Sequence, residues 1–402
     1  MNYVETAKDK VKIYWQQVEK TVKYNQAKVL KAFQKAEVGS HCFTDSTGYG
    51  YHDLGRDCLE KVFALVFNTE AALVRPQIVS GTHAINLCLS ILKPGEQLLS
   101  LSGTPYDTLQ QVIGTRGNSV NSLIKRGIVY RELPLNDENR LDYDSIRNMI
   151  NDKTKMVMIQ RSPGYSWRPA ISIDEIEEAF SIVKTVNPNC ICFVDNCYGE
   201  FVENREPSEV GANLTAGSLI KNPGGGLAPS GGYIVGDQDL IEQCGEYLTA
   251  PGVGIQIGPT FNMVRPLLHG FFIAPHIVGQ ALRGAILASQ VFMDLGYRVL
   301  PLPSHPRTDI IQAIELGEKE KILIFCREIQ KASPVDSIYT PIPDQMPGYD
   351  DEIIMAGGTF IQGSSIELTA DAPLRKPYIV YLQGGMGIEH IEIALEAVIQ
   401  AL

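Results

Sequence analysis

The sequence lacks an excess of positive charge, an apolar run long enough to span a bilayer, and an apolar segment near its amino terminus. Lysine and arginine number 35 against 46 aspartate and glutamate residues, a net charge of −11 without any basic stripe. Nucleic acid and anionic membranes are therefore not expected as partners. Polar residues interrupt apolar stretches such as Ala281–Leu295, so no membrane span is predicted. With a polar, lysine-rich amino terminus we expect no signal peptide and a cytoplasmic protein.

The sequence also lacks the paired cysteine or histidine spacing of a zinc site. Eight cysteines are present, and three of them lie in CICFVDNC, Cys190–Cys197. Zinc sites need paired CxxC or histidine partners, which do not accompany this stretch. Cys190 and Cys192 fall on one face of a predicted strand, where free thiols pack as small apolar groups. We predict reduced, buried thiols and no metal site.

What the sequence does contain is a long alternation of helical and strand patterns. Apolar residues at helical spacing predict a helix over Val11–Phe33. From about Gly39 onward helices and strands alternate, which favours an α/β domain with a mainly parallel central sheet. The pattern changes after a long helix around Val278–Leu295, where a smaller α+β domain is predicted. Its elements are helices at Lys321–Gln330 and Ile388–Leu402 and strands at Glu352–Phe360, Ser364–Thr369 and Tyr378–Leu382. The predicted division is an amino-terminal helical segment, residues 1–40, a large domain, residues 41–285, and a small domain, residues 286–402.

Two short stretches follow predicted strands in a way that suits a phosphate and an aromatic ring. Open α/β sheets bind ligands beyond the carboxyl ends of their strands. VSGTHAI joins a strand to a helix through Gly81 and Thr82, and the amide groups of a helix amino terminus bind phosphate. GTPYDTL places Tyr106 just beyond the next strand. These residues are candidates for a phosphate cradle and a stacking ring.

Two further stretches end predicted strands with groups of opposite charge. FVDNCYGEF carries Asp195 at its strand end, and GSLIKN carries Ser218 and then Lys221 at the end of a strand predicted over Leu219–Lys221. Glycines crowd the chain after Lys221, either as a flexible surface loop or because the backbone lies close to a ligand. A lysine amine, a carboxylate, a flat ring and a phosphate cradle together suit pyridoxal 5′-phosphate. The amine would bond to its aldehyde, and the carboxylate would keep its ring nitrogen protonated.

Stretches spread over nearly the whole chain carry a resemblance to a known family. The chain resembles the fold-type-I pyridoxal-phosphate enzymes of the cystathionine- and methionine-lyase group. It is most similar to the bacterial proteins called methionine γ-lyase-like or aluminium-resistance proteins. The stretches that carry the resemblance are GYGYHDLGRD, VSGTHAI, SLSGTPYDTL, QRSPGYSWRP, FVDNCYGEFVE, AGSLIKNPGGGLAPSGGYIVG and LTAPGVG.

The resemblance implies a residue assignment and a shared active site. It implies Lys221 as the cofactor-bonding lysine, Asp195 as the partner of the ring nitrogen, and Tyr106 stacked on the ring. It places Gly81, Thr82 and Ser218 around the phosphate. Related lyases receive a tyrosine from the neighbouring subunit, for which Tyr51 is the first candidate and Tyr49 the second. A homodimer or homotetramer with shared active sites is therefore expected.

One departure from the family concerns the group that binds the substrate carboxylate. Larger relatives carry an arginine before a carboxyl-terminal Ser-x-Gly-x-Glu, and YLQGGMGIEH at the matching place has none. Arg375 is the first candidate because its planar fork suits a carboxylate. Arg161 is the other, unless it faces the hydroxyl group of the cofactor ring.

The expected function is elimination of a thiol from a sulfur-containing amino acid, with release of a keto acid and ammonia. Lys221 would act as the general base at Cα. Whether the thiol leaves from the β or the γ carbon stays open. The alternatives are aldol cleavage or transamination with the same cofactor, and a cofactor-binding module of low turnover with a role in metal tolerance.

Overall fold

Two β-sheets organise the computed structural model, which describes residues 3–346 and 349–402. Residues 1–2 of the predicted amino-terminal segment lie outside the described residues. The helices of the described chain are α1 (Tyr3–Lys35), α2 (Leu54–Phe67), α3 (Gly81–Leu89), α4 (Asp107–Ile113), α5 (Tyr143–Met149), α6 (Ile173–Val186), α7 (Gln238–Leu248), α8 (Val264–Asp294), α9 (Lys319–Lys331) and α10 (Ile388–Ala401). Its strands are β1 (Ala71–Arg75), β2 (Gln97–Ser100), β3 (Val129–Glu132), β4 (Thr154–Gln160), β5 (Ile191–Asp195), β6 (Leu214–Ser218), β7 (Gly232–Gly236), β8 (Arg298–Leu300), β9 (Ile311–Glu315), β10 (Asp344–Gln345), β11 (Glu352–Ala356), β12 (Thr369–Pro373) and β13 (Ile379–Gln383).

The first sheet has seven strands in the order β1-β7-β6-β5-β4-β2-β3. The pairs β3–β2, β2–β4, β4–β5 and β5–β6 are parallel, and β7 runs antiparallel to both of its neighbours. The prediction of an α/β fold with a mainly parallel sheet is confirmed. Because the parallel strands share one direction, their carboxyl ends meet at one edge.

Helices cover both faces of this sheet, which explains its continuous apolar strands. In β4, Met156 and Met158 pack with α3, α4 and α7 on one face. Val157 and Ile159 point to the other face, where they pack with α5 and α6. The period-two alternation of side chains therefore divides one apolar run between two cores.

The second sheet is antiparallel and has the order β10-β11-β12-β13-β9-β8. The strand predicted over Ser364–Thr369 is wrong, since β12 only begins at Thr369. The residues before it form a loop that is held by the Glu367 carboxylate, which accepts the backbone N–H groups of Phe360 (2.9 Å) and Ile361 (3.0 Å). Strands β8 and β9 had no counterpart in the prediction, and they complete this sheet.

Helix α8 is long and apolar enough to cross a membrane by length and composition, yet 72% of its most apolar window is buried inside the protein. Helix α8 is therefore assigned as a core helix of the protein. Helix α1 packs along it, and the Trp15 indole donates a hydrogen bond to the Arg283 carbonyl oxygen of α8 (3.1 Å). The predicted domain boundary at residues 285 and 286 falls within α8.

The glycines after Lys221 serve close packing against α8. Strand β6 ends at Ser218, so the strand predicted over Leu219–Lys221 is wrong, and a tight turn over Asn222–Gly224 follows. A Cβ atom on Gly270 of α8 would overlap the Gly224 carbonyl oxygen, and one on Gly225 would overlap Gly270. These glycines allow one backbone to touch another, which corrects the idea that they make room for a ligand.

Candidate active site

A cavity of about 510 Å³ opens at the carboxyl ends of the parallel strands. It lies between the first sheet and the second, which contributes β9, β12 and β13. The structure brings seven of the predicted site residues to its wall: Gly81, Thr82, Tyr106, Asp195, Ser218, Lys221 and Arg375. Predicted positions about 300 residues apart in sequence therefore converge on one space.

Lys221 and Asp195 form the charged floor of this cavity. The Lys221 Nζ atom lies 3.9 Å from the centre of the Tyr198 ring, and Tyr198 has a left-handed φ of 73°, which is unusual for a bulky residue. Asp195 is 3% exposed and accepts the Cys197 N–H (3.2 Å). Burial raises the pKa of Asp195, and the nearby Lys221 partly offsets this shift. Burial alone lowers the pKa of Lys221, but the acidic groups around it, Cys197 first and Asp195 among them, raise it well above its usual range.

The amino terminus of α3 forms another wall of the cavity. Gly81 approaches β6 closely, since a Cβ atom there would lie 3.2 Å from the Cys197 sulfur and 3.3 Å from the Ser218 Cβ. Thr82 and Tyr106 share a hydrogen bond between their hydroxyl groups (3.1 Å). This contact ties the ring of Tyr106 to the helix amino terminus that lines the cavity.

Arg161 does not line the cavity, contrary to the prediction that it binds the cofactor or the substrate. Its side chain is fully buried, and its guanidinium donates to the carbonyl oxygens of Ile171 (3.2 Å) and Gly199 (2.9 Å) and to the Asn196 side chain (2.8 Å). It also forms an ion pair with Glu203. With all three guanidinium nitrogens engaged, Arg161 fixes the chain that follows β5, and no nitrogen remains for a ligand.

Tyr49 and Tyr51 also lie outside the cavity of their own chain. The two residues are 71% and 60% exposed, and their ring centres lie 5.8 Å apart. The loop that carries them is anchored by Arg56, which donates to the Gly50 carbonyl oxygen (2.6 Å), and by Asp53, which accepts the Thr260 hydroxyl (2.8 Å). An ordered loop therefore presents two aromatic rings to the outside of the chain.

Arg375 stands at the mouth of the cavity. Its guanidinium pairs with Asp351 (2.9 Å) and donates to the Tyr165 carbonyl oxygen (3.4 Å), and its side chain is 54% exposed. A half-exposed guanidinium in this position can bind a second carboxylate, and neither charge of the new pair would be fully buried.

Several cavity residues were not predicted from the sequence. Gln160 ends β4, and its side-chain oxygen accepts the Tyr106 N–H (2.8 Å), so the rule that pointed to Asp195 would also have found it. Six others come from loops and from the second sheet: Tyr165, Tyr198, Tyr349, Asp371, Tyr381 and Gln383. No His, Cys, Asp or Glu cluster suited to a metal occurs among residues 3–346 and 349–402.

The groups around the cavity fit pyridoxal 5′-phosphate. Lys221 offers an amine for its aldehyde, and the buried Asp195 offers a carboxylate that a protonated ring nitrogen would neutralise. The Gly81 end of α3 and the Ser218 hydroxyl offer hydrogen-bond donors for a phosphate. The absence of a side chain at Gly81 lets the start of α3 lie close to Cys197 and Ser218, which brings these donors to one corner of the cavity.

Comparison with known proteins agrees with this fit. A Bacillus subtilis protein, YnbB, is 49% identical over 388 residues, which cover 96% of this chain and 92% of YnbB. A Listeria monocytogenes structure, provisionally named a cystathionine beta-lyase involved in aluminium resistance, is 48% identical with a TM-score of 0.97 and 99% coverage of both chains. A Clostridium novyi structure, described as a carbon-sulfur lyase involved in aluminium resistance, is 46% identical, with a TM-score of 0.95 and coverage of 99% of this chain and 94% of that one.

More distant structures share the fold alone. The pyridoxal-5′-phosphate-dependent protein YhfS of Escherichia coli has a TM-score of 0.64 at 16% identity, over 96% of this chain and 97% of that one. The family model described as Methionine gamma-lyase matches residues 1–402. The fold-type-I assignment and the cofactor expected from the sequence are thereby confirmed. With its whole length matched, this chain belongs to the methionine gamma-lyase family and is a pyridoxal-phosphate-dependent carbon–sulfur lyase.

Proposed function

We propose that this enzyme eliminates a thiol from the side chain of a sulfur-containing amino acid. The carbon–sulfur bond breaks, the sulfur leaves as a thiol with the proton taken from Cα, and water completes the release of a keto acid and ammonia. The observation that supports this most directly is the meeting of Lys221, Asp195 and the α3 amino terminus in one cavity. When bound there, pyridoxal phosphate supplies an acceptor for the electron pair left on Cα.

The residues of the cavity divide the remaining tasks. Lys221 accepts the Cα proton on Nζ and passes it toward the leaving sulfur. Asp195, which is buried close to Lys221, would hold the ring nitrogen of the cofactor in its protonated form. Tyr106 offers a flat ring for stacking, and its bond to Thr82 fixes the plane of that ring. Ser218 and Gly81 hold the phosphate.

Arg375 is proposed as the group that binds the substrate carboxylate. Of the two arginines considered from the sequence, only Arg375 lines the cavity. Its removal leaves a bound carboxylate without a partner, which costs about 2–5 kcal/mol when the pair is shielded from water. Because the side chain is half exposed, we expect a loss below that range, about 1.4 kcal/mol, so that Arg375→Ala raises KM by about tenfold. Asp351→Asn removes the competing partner and should leave KM equal or lower.

A panel of sulfur amino acids separates this function from its alternatives. The holoenzyme should release pyruvate from a substrate whose thiol leaves the β carbon, or 2-oxobutyrate when the thiol leaves the γ carbon. Lys221→Ala should abolish release, and borohydride should fix the cofactor on Lys221 in the parent enzyme. Glycine with an aldehyde would indicate aldol cleavage, and a transferred amino group would indicate transamination. Cofactor binding without any product from the panel would overturn the proposal.

We further propose that two copies of the chain share each active site. The exposed, well-anchored pair of Tyr49 and Tyr51 supports this, since neither ring reaches the cavity of its own chain. In a two-fold assembly each chain gives its tyrosine to the other, so that Tyr51 could donate to the partner's phosphate.

A further inference from the structure

Asp371 is a cavity carboxylate to which the proposed chemistry gives no task. We propose that Asp371, together with Tyr165, Tyr349 and Tyr381, forms a subsite for an ammonium group carried by the departing thiol portion of the substrate. This inference rests on the proposed function, because it names the class of thiol that leaves. The class is thioether amino acids with a second amino group beyond the sulfur, as opposed to those whose side chain ends in a methyl group.

The second sheet holds Asp371 in a defined orientation. Asp371 lies in β12 and pairs in register with Tyr381 of β13. One of its oxygens accepts a hydrogen bond from the Gln383 side-chain amide (2.8 Å), and the residue remains partly accessible from the cavity. A single neutral hydrogen bond fixes the carboxylate without neutralising its charge.

Three tyrosine rings gather beside this carboxylate. The ring centre of Tyr165 lies 5.3 Å from that of Tyr381 and 5.8 Å from that of Tyr349, with interplanar angles near 50°. An aromatic ring attracts a cation that lies over its face within about 6 Å of the ring centre, so a cation held by Asp371 among these rings would be stabilised further. A carboxylate combined with several aromatic faces is a recognition site for an amine, and it disfavours an anionic group.

The other charges of the cavity leave Asp371 without a cation. Among the described residues that line the cavity, the positive side chains are Lys221 and Arg375. Arg375 is paired with Asp351, and Lys221 is committed to the cofactor in the proposed site. The carboxylate of Asp107, also on the wall, is paired with Arg116. Asp371 appears in no ion pair within residues 3–346 and 349–402. An ammonium group of the substrate would therefore give this carboxylate an ion-pair partner.

The test compares two ligands that bind but cannot react. The compounds are 3-(2-aminoethylthio)propanoate and 3-(propylthio)propanoate, which have the same length, share the carboxylate, lack an α-amino group and differ only in ammonium against methyl. Calorimetry at pH 8 on the holoenzyme should show about tenfold tighter binding of the amine, the effect of one charge-assisted contact. In Asp371→Asn the preference should fall to about twofold or less, with the visible band of the cofactor unchanged.

Asp107→Asn is the matched control, since it removes one negative charge from the same cavity at a residue that already has a partner. It should keep the preference for the amine. Equal binding of the two ligands to the parent enzyme would overturn the inference even if Asp371→Asn failed to fold. A preference that survives in Asp371→Asn would also overturn it. Because binding is measured without turnover, an enzyme that releases no keto acid contradicts the proposed function separately.

Discussion

Replacing Arg161 by alanine should destabilise the protein without altering the bound cofactor. In the structure Arg161 donates three hydrogen bonds, to Ile171, Asn196 and Gly199, and pairs with Glu203. Three hydrogen bonds at about 1 kcal/mol each, together with a carboxylate left largely unpaired, give a loss of about 3–5 kcal/mol in the free energy of unfolding. This loss should appear as a lower denaturation midpoint, measured by urea unfolding of the cofactor-free protein.

The loss should also depend on pH. Burial raises the pKa of Glu203, and Arg161 opposes that rise, so removing Arg161 raises the pKa further. A carboxyl group whose folded pKa lies above its unfolded value destabilises the fold only when it is ionised. The extra penalty is therefore absent below the unfolded pKa of about 4.3 and develops as the pH rises through the folded pKa. Arg161→Ala should thus remain about 3 kcal/mol less stable than the parent near pH 4, where only the loss of the three hydrogen bonds is left, and should differ most, by up to about 5 kcal/mol, at pH 7.5.

Arg205→Ala is the matched control for this experiment. Arg205 pairs with Asp174 and Glu177, but its side chain is 41% exposed, so its removal should change the free energy of unfolding by about 1 kcal/mol or less. An Arg161→Ala protein with unchanged stability and a shifted or missing cofactor band would refute the reasoning and return Arg161 to the ligand site.

Three further predictions follow from other contacts. Binding of the amine ligand should strengthen as the pH rises through about 7, because burial raises the pKa of Asp371 to about 7, with Gln383 and Lys221 opposing the shift. In calorimetry the propyl ligand should show no such change. Gly270→Ala should destabilise the protein by about 1–3 kcal/mol in urea unfolding and weaken cofactor retention on dialysis, since the new methyl group overlaps the Gly224 carbonyl. Unchanged retention would argue against a link between the packing of α8 and the turn that follows Lys221. Co-expressed Tyr51→Ala and Lys221→Ala chains should recover part of the activity that each lacks alone, and no recovery in isolated mixed dimers would exclude sharing through Tyr51.

The strand-end residues were predictable because the rule behind them is simple. Parallel strands share an edge, so the sequence alone places Asp195 and Lys221 together, although Lys221 lies three residues beyond the end of β6. The alternation of side chains along a strand explains why the prediction for Arg161, just after the end of β4, was wrong. Gln160 points into the cavity, and Arg161 follows it, so its side chain leaves on the other side of the strand. Proximity in sequence to a strand end does not decide which of two neighbours faces the ligand.

Asp371 could not be predicted because its strand is atypical. Strand β12 reads TADAP, and aspartate and proline are both depleted in strands. The more apolar SSIELT was the better strand by propensity, yet its Glu367 is used to bind loop amides. Pairing with β11 and β13 outweighs the low strand propensity of TADAP, and no local pattern in the sequence predicts that pairing.

The packing of α1 on α8 has a consequence for synthesis of the protein. Helix α1 ends at Lys35 and its partner begins at Val264, so 228 residues lie between them in the chain. At roughly 5–20 residues per second, α1 waits about 10–50 seconds on the ribosome before α8 emerges. During that time the apolar side chains that it later buries, among them Val11, Trp15 and Val29, face water. The side chains of α1 that pack on α8 therefore lack their partner surface in the nascent chain until α8 has been made.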